Sequence, residues 1–138
     1  MSTILRISEA ANLGIHAMVF LHLRTEHDPR SAAAIAHGLG VSGSHLAKVM
    51  QRLVAAGFVG SVRGARGGFT LLADPATTSL LDIYQAIDGP LQPAGCLIER
   101  ETCLIERCWL AGLEEATLRL VKAHLGSLFL ADLIPRSA

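Results

Sequence analysis

Ser31-Ala32-Ala33-Ala34-Ile35-Ala36-His37-Gly38-Leu39-Gly40-Val41-Ser42-Gly43-Ser44-His45-Leu46-Ala47-Lys48-Val49-Met50-Gln51-Arg52-Leu53-Val54-Ala55-Ala56-Gly57 is the stretch that decides the fold. Ser31 reads as an N-cap, because a serine hydroxyl there accepts from a backbone N–H two or three residues on, and Ala32 to His37 are strong helix formers. Gly38-Leu39-Gly40 closes that helix. Ser42 starts another, which runs through His45, Leu46, Val49, Met50 and Leu53 to Ala56 before Gly57. Ile35, Leu39, Val41, Leu46, Val49 and Leu53 are placed to pack the two helices together. Two helices on a tight glycine turn form a helix-turn-helix, and the second helix is the one that enters a DNA groove.

Working outward, the next segment pairs two short apolar runs, Phe58-Val59-Gly60-Ser61-Val62 and Phe69-Thr70-Leu71-Leu72, around Arg63-Gly64-Ala65-Arg66-Gly67-Gly68. This predicts a hairpin whose glycines permit positive φ and close approach to another backbone. Beside a helix-turn-helix such a hairpin is a wing, and arginines at its tip suit a minor groove or phosphate. It is no nucleotide cradle, since a strand follows it rather than a helix and no Lys-Ser/Thr ends it.

Upstream, Ile7, Leu13, Ile15, Met18, Val19, Phe20 and Leu21 predict a helix over residues 7 to 24 with Ser8 as N-cap, ended before Asp28-Pro29. Downstream, Thr78 or Ser79 with Asp82 resembles a capping box for a helix through Ile87, stopped by Asp88-Gly89-Pro90. Residues 89 to 107 hold cysteines and little periodicity. A long helix is then expected from Cys108 to Leu133, with Leu113, Leu120, Val121, Leu125, Leu128 and Phe129 on one stripe. At 1.5 Å per residue it would reach roughly 38 Å, too long for so small a domain to bury, so it is expected to pair with its copy. The expected fold is mainly α with a small β wing. Residues 1–89 form the winged helix-turn-helix, 90–107 a cysteine loop, and 108–138 a dimerisation helix and tail.

Composition agrees. A chain of 138 residues has room for one domain with an adequate core. Its 51% hydrophobic and 17% charged content is apolar for a monomer, which points to a homodimer. Arg6, Glu9, His16 and Arg24 interrupt the first apolar segment, so no membrane span is expected. No basic flank with a cleavage site opens the chain, and the expected location is the cytoplasm. There, three cysteines are expected to be reduced, reactive or metal-bound rather than paired. Net charge is zero, yet residues 1–72 carry seven Arg or Lys against three acidic residues, and residues 73–138 carry five against nine. A basic front half suits phosphate contact. Without a Ser-His-Asp set, nucleotide loop or paired-carboxylate site, no enzyme is expected.

Three groups of residues stand out. Ser42, Ser44, His45, Lys48, Gln51 and Arg52 lie at outward positions of the second helix. Lys48 and Arg52 suit phosphate or guanine and Gln51 suits adenine. Plain solvation would also explain this face; the adjoining Arg63 and Arg66 favour double-stranded DNA. Cys96, Cys103 and Cys108 are spaced C-x6-C-x4-C. Thiolates at such spacing suit an iron-sulfur cluster or zinc with a fourth ligand from elsewhere, and three ordinary small apolar residues give the same pattern. His16, with Asn12 one turn before it, is either a ligand reaching from the partner subunit or a buried polar residue. Glu99, Glu101 and Glu106 around the cysteines are expected to be solvated.

Taken together, the chain resembles the winged-helix regulators that include the iron-sulfur cluster regulator IscR and the nitric-oxide sensor NsrR. The resemblance rests on Arg6-Ile7-Ser8 with Leu13-Gly14-Ile15-His16-Ala17-Met18, on Val41-Ser42 through Leu46, and on Leu53-Val54-Ala55-Ala56-Gly57-Phe58-Val59. It continues through Arg63 to Leu71, Leu81-Asp82-Ile83, Ala86-Ile87-Asp88-Gly89, the cysteines and Leu130-Ala131-Asp132-Leu133. It implies a homodimer on a DNA operator, the long helices crossing. It also implies a two-iron or four-iron cluster on Cys96, Cys103 and Cys108 that reports redox state, nitric oxide or iron-sulfur status. The family's usual spacing is five residues between successive cysteines; here it is six and then four. A fourth-ligand histidine used by some members falls on Ala111, which cannot coordinate, while the positions used on the partner's first helix by others match His16 and Asn12. Other members carry no cluster, which leaves a second expectation of a cluster-free regulator responding through thiol oxidation or a small ligand.

Overall fold

The computed structural model describes residues 5–24, 28–96 and 103–135. Five helices and one hairpin follow in the order α1 (Glu9–Leu23), α2 (Ala32–Leu39), α3 (Gly43–Ala55), β1 (Val59–Val62), β2 (Gly68–Leu71), α4 (Leu80–Asp88) and α5 (Trp109–Ser127). A 3-10 turn, Leu130–Leu133, closes the described chain.

The helix starts follow from hydroxyl caps. Ser8 Oγ accepts from Ala11 N at 2.9 Å and Ser31 Oγ from Ala34 N at 3.1 Å. Of the two candidates before α4, Ser79 is the cap. Its Oγ accepts from Asp82 N at 3.1 Å, and Asp82 Oδ2 accepts from Ser79 N at 3.2 Å, so both arms of the box form. α2 runs past the expected His37 to Leu39, and at Gly38 the Phe20 ring lies where a Cβ would stand. It ends at Gly40, whose φ of 69° turns the chain so that Val41 N donates to Ala36 O at 3.0 Å.

α1 is the hub of the fold and packs against α2, α3, α4 and β2. Met18 of α1, Ile35 of α2, Leu46, Met50 and Leu53 of α3 and Ile83 of α4 are wholly buried. Each such side chain is worth about 1.5–3 kcal/mol over its exposed state. The hairpin is antiparallel, Val59 opposite Leu71 and Val62 opposite Gly68. It gains a rung from a third segment, which sequence did not predict: Arg30 N donates to Phe69 O at 2.9 Å and Phe69 N to Arg30 O at 2.7 Å. Gly68 permits this pairing, since its φ is 149° and a Cβ there would collide with the Arg30 carbonyl.

The last helix is shorter than expected. Sequence predicts helix to Leu133, whereas α5 stops at Ser127 after 19 residues, about 28 Å at 1.5 Å per residue. Backbone pairing ends it: Leu80 N donates to Leu128 O at 2.8 Å, Leu130 N to Thr78 O at 2.9 Å and Ala131 N to Pro75 O at 2.8 Å. Leu130 enters the core fully, and that burial outweighs further helix. α5 itself contributes no buried residue.

Candidate nucleic-acid interface

The interface grows out of the two-sidedness of α3. Leu46, Val49, Met50 and Leu53 face the core, and at about 100° per residue Ser44, Lys48 and Gln51 fall on the opposite side. Ser42, Ser44, His45, Lys48, Gln51 and Arg52 are all exposed. Ser42 precedes α3 without capping it through its side chain; its Oγ lies 3.0 Å from Ser44 Oγ. That leaves the first turn of α3 with N–H groups suited to a phosphate oxygen.

Arg52 is placed differently from its expected partners. It lies with His45 on one flank of α3, and its Nη1 donates to the Ile87 carbonyl of α4 at 2.8 Å. A guanidinium held by a protein carbonyl is not simply offered to a groove.

The wing carries Arg63 and Arg66, both exposed, on a turn closed by Gly67 N donating to Gly64 O at 3.0 Å. Gly64 has φ of 110°, and a Cβ on Gly67 would strike the Val62 carbonyl. The arginines therefore sit on a tip whose shape needs glycine, above a base held by the Arg30–Phe69 rung. Charge sharpens the picture beyond a comparison of halves. Between Asp28 and Asp74 the chain has no carboxylate, while Arg30, Lys48, Arg52, Arg63 and Arg66 supply five cations. This acid-free run was visible in the sequence and brings in Arg30, a residue that spacing and periodicity did not single out.

The cysteines occupy different ground. Cys96, Cys103 and Cys108 are exposed; residues 103–108 lie outside helix and strand, and Cys108 directly precedes α5. Glu106 is exposed, and Glu99 and Glu101 lie outside the described residues. Among the described residues no three His, Cys, Asp or Glu side chains gather closely enough to hold a metal ion. Asn12 and His16 are exposed on α1, so His16 is not a buried polar residue. His16 Nδ1 lies 2.8 Å from Asn12 O. A carbonyl only accepts, so Nδ1 is the donor in this bond, and Nε2 is the ring nitrogen left to face a ligand. Three thiols and one such imidazole match the chemistry of an iron-sulfur cluster, but this set is not assembled within the described residues of one copy.

The Rrf2 family, described as iron-dependent transcriptional regulators, matches residues 7–136. The chain belongs to the Rrf2 family. CymR, an HTH-type transcriptional regulator of Bacillus subtilis, is 31% identical over 70% of this chain and 70% of its own length. IscR of Xenorhabdus nematophila, also an HTH-type transcriptional regulator, is 26% identical over 94% of this chain and 79% of its own. The solved structure of B. subtilis CymR, named there the global cysteine regulator, superposes with a TM-score of 0.75 at 30% identity, covering 94% of this chain and 96% of that one. The fold is thus the winged helix of this Rrf2 family, mainly α with a small β wing, and its named relatives are transcriptional regulators rather than enzymes. Among the described residues no helix is long and apolar enough to cross a membrane.

Proposed function

We propose that this Rrf2 protein regulates transcription in the cytoplasm by binding an operator in double-stranded DNA as a homodimer. Ser42, Ser44, His45, Lys48 and Gln51 meet base edges and phosphates of the major groove, and Arg63 and Arg66 clamp phosphate or enter the minor groove. The observation that carries this reading is the exposed polar face of α3 beside an arginine-tipped wing in a carboxylate-free stretch. Residues 1–89 are the reading part and 108–138 the pairing part. The pairing is supported by α5, where Trp109 is 69% exposed and Leu120 70%, an apolar surface that a second copy would cover. Fluorescence anisotropy on the native operator tests the contacts. Lys48→Ala and Arg66→Ala should each weaken binding and lower its salt dependence by about one counterion. Unchanged affinity in both overturns the assignment.

The segment 90–107 with Cys108 is the sensor in this proposal. Cys96, Cys103 and Cys108 would hold a two-iron or four-iron cluster, with His16 of a second copy as the fourth ligand and Asn12 as the weaker choice. When bound, such a cluster supplies a group that reacts with oxidants and nitric oxide. The chain's own contribution is to link the cysteines to α5 and so to the spacing of the two reading helices, which must match a helical turn of DNA, about 34 Å. A second reading keeps the DNA contacts and dispenses with the cluster: the exposed thiols respond by oxidation, or a small ligand acts instead. The uneven cysteine spacing favours it, as does the similarity to CymR beside that to IscR. Iron and sulfide analysis with a visible spectrum after anaerobic purification separates the two. Stoichiometric iron, sulfide and colour support the cluster, and a colourless protein that still binds its operator supports the thiol or ligand response.

A further inference from the structure

We infer that Arg52 is a positioning residue that fixes the tilt of the reading helix on α4, and that it makes no contact with DNA. This rests on the DNA-binding reading above. The Arg52 Nη1 bond to Ile87 O at 2.8 Å spans 35 residues of sequence and joins the last turns of two helices. Ile87 stands in the final turn of α4, where carbonyls have no partner four residues on. The neighbouring cap bond, Gly89 N to Gln85 O, leaves the Ile87 carbonyl for Arg52. A cation at a helix C-terminus is also favoured by the helix dipole, and a charge-assisted bond is among the stronger ones a protein makes.

The acceptor belongs to a buried residue. Ile87 is only 5% exposed, and its Cδ1 lies where a Cβ on Gly14 of α1 would stand. Val49 of α3 also borders that spot, 3.3 Å from the same Cβ position. Ile87 therefore sits where α1, α3 and α4 meet, and Arg52 ties α3 to that junction. The direction of the side chain fits as well. Ser44, Lys48 and Gln51 share the side of α3 opposite the core, whereas Arg52 lies on the flank toward α4. At its other end α4 is bonded to the segment after α5 through Leu80 N and Leu128 O. Any shift of α4 reaches the reading helix through Arg52.

Salt dependence separates a positioning residue from a phosphate contact, because only the latter releases a counterion. Arg52→Ala in the full chain should weaken operator binding roughly tenfold, the loss of a charge-assisted bond, with the slope of log affinity against log salt unchanged. It should also lower the melting temperature. Lys48→Ala, measured in parallel, should reduce the slope by about one. A slope reduced by about one in Arg52→Ala, or an unchanged affinity, overturns the inference. If Arg52→Ala does not fold, Arg52→Gln is read by the same two criteria. Failure of the DNA-binding reading looks different: Lys48→Ala and Arg66→Ala then leave binding untouched.

Discussion

α3 and α5 are both amphipathic helices of one small chain, and they end in opposite situations. The 13 residues of α3 bury Leu46, Val49, Met50 and Leu53, while the 19 residues of α5 bury none. The difference lies in what surrounds them. α3 packs against α1, α2, α4 and β1, whereas α5 has substantial packing only on α4. Apolar content does not make a core by itself; it needs opposing surfaces, and for most of α5 the described residues of this chain supply none. The core side of α3 is therefore closed within the chain, while α5 leaves Trp109, Leu113 and Leu120 exposed along its length.

The contrast breaks most directly at Leu53, which has no exposed surface. Leu53→Ala should cost about 2–5 kcal/mol of unfolding free energy in urea titration, from lost transfer energy and a cavity. A cost below about 1 kcal/mol would mean that the α3 core is not closed. Gly68→Ala comes next. A Cβ that meets the Arg30 carbonyl at positive φ should cost about 1–3 kcal/mol. It should also speed amide exchange at Phe69, whose N–H bonds Arg30 O. Ser79→Ala removes one arm of the α4 capping box and should cost about 1 kcal/mol by thermal melting.

Tyr84 gives a pH test of the same core. Burial first, and then the charge and hydrogen bond of Asp88, push its phenol above the usual value of 10.0. The folded chain thus holds the proton more tightly than the unfolded one. This term is fully present below about pH 10 and is lost as pH rises from there through the folded value. Tyr84→Phe should remove that alkaline decline. The smallest effect on the fold is expected at Leu120, 70% exposed: Leu120→Glu should change the stability of the single chain by about 0.5 kcal/mol or less when measured dilute. At higher concentration the same variant should halve the mass seen in sedimentation, because the stripe it interrupts would be the pairing surface. A variant that sediments as the wild type does would place the pairing elsewhere.

Sequence made the local features of this molecule legible. Ser8, Ser31 and Ser79 act within three residues of themselves, so their caps could be read directly. The polar side of α3 and the hairpin follow from periods of 3.6 and 2 and from glycine positions. What escaped was non-local. The rung between Arg30 and Phe69 joins residues 39 apart through backbone atoms that carry no side-chain signal. The end of α5 at Ser127 escaped because Leu128 and Phe129 continue the helical stripe, yet pair with Leu80 and Ser79. The bond from Arg52 to the Ile87 carbonyl escaped as well, because that acceptor lies 35 residues away. The cysteines were legible as a spacing, and the resemblance that they helped to suggest agrees with the Rrf2 match over residues 7–136. Their assembly was not legible, since spacing fixes no distances.

The stitching of Leu128, Leu130 and Ala131 onto Leu80, Thr78 and Pro75 anchors the C-terminal end of α5 to the base of α4. A rigid rod held only at that end would turn about Leu128. Over about 28 Å, a ten-degree rotation carries the Cys108 end through roughly 5 Å. In the reverse direction, a displacement of that size at the start of α5 would reach α4 as a turn of only about ten degrees.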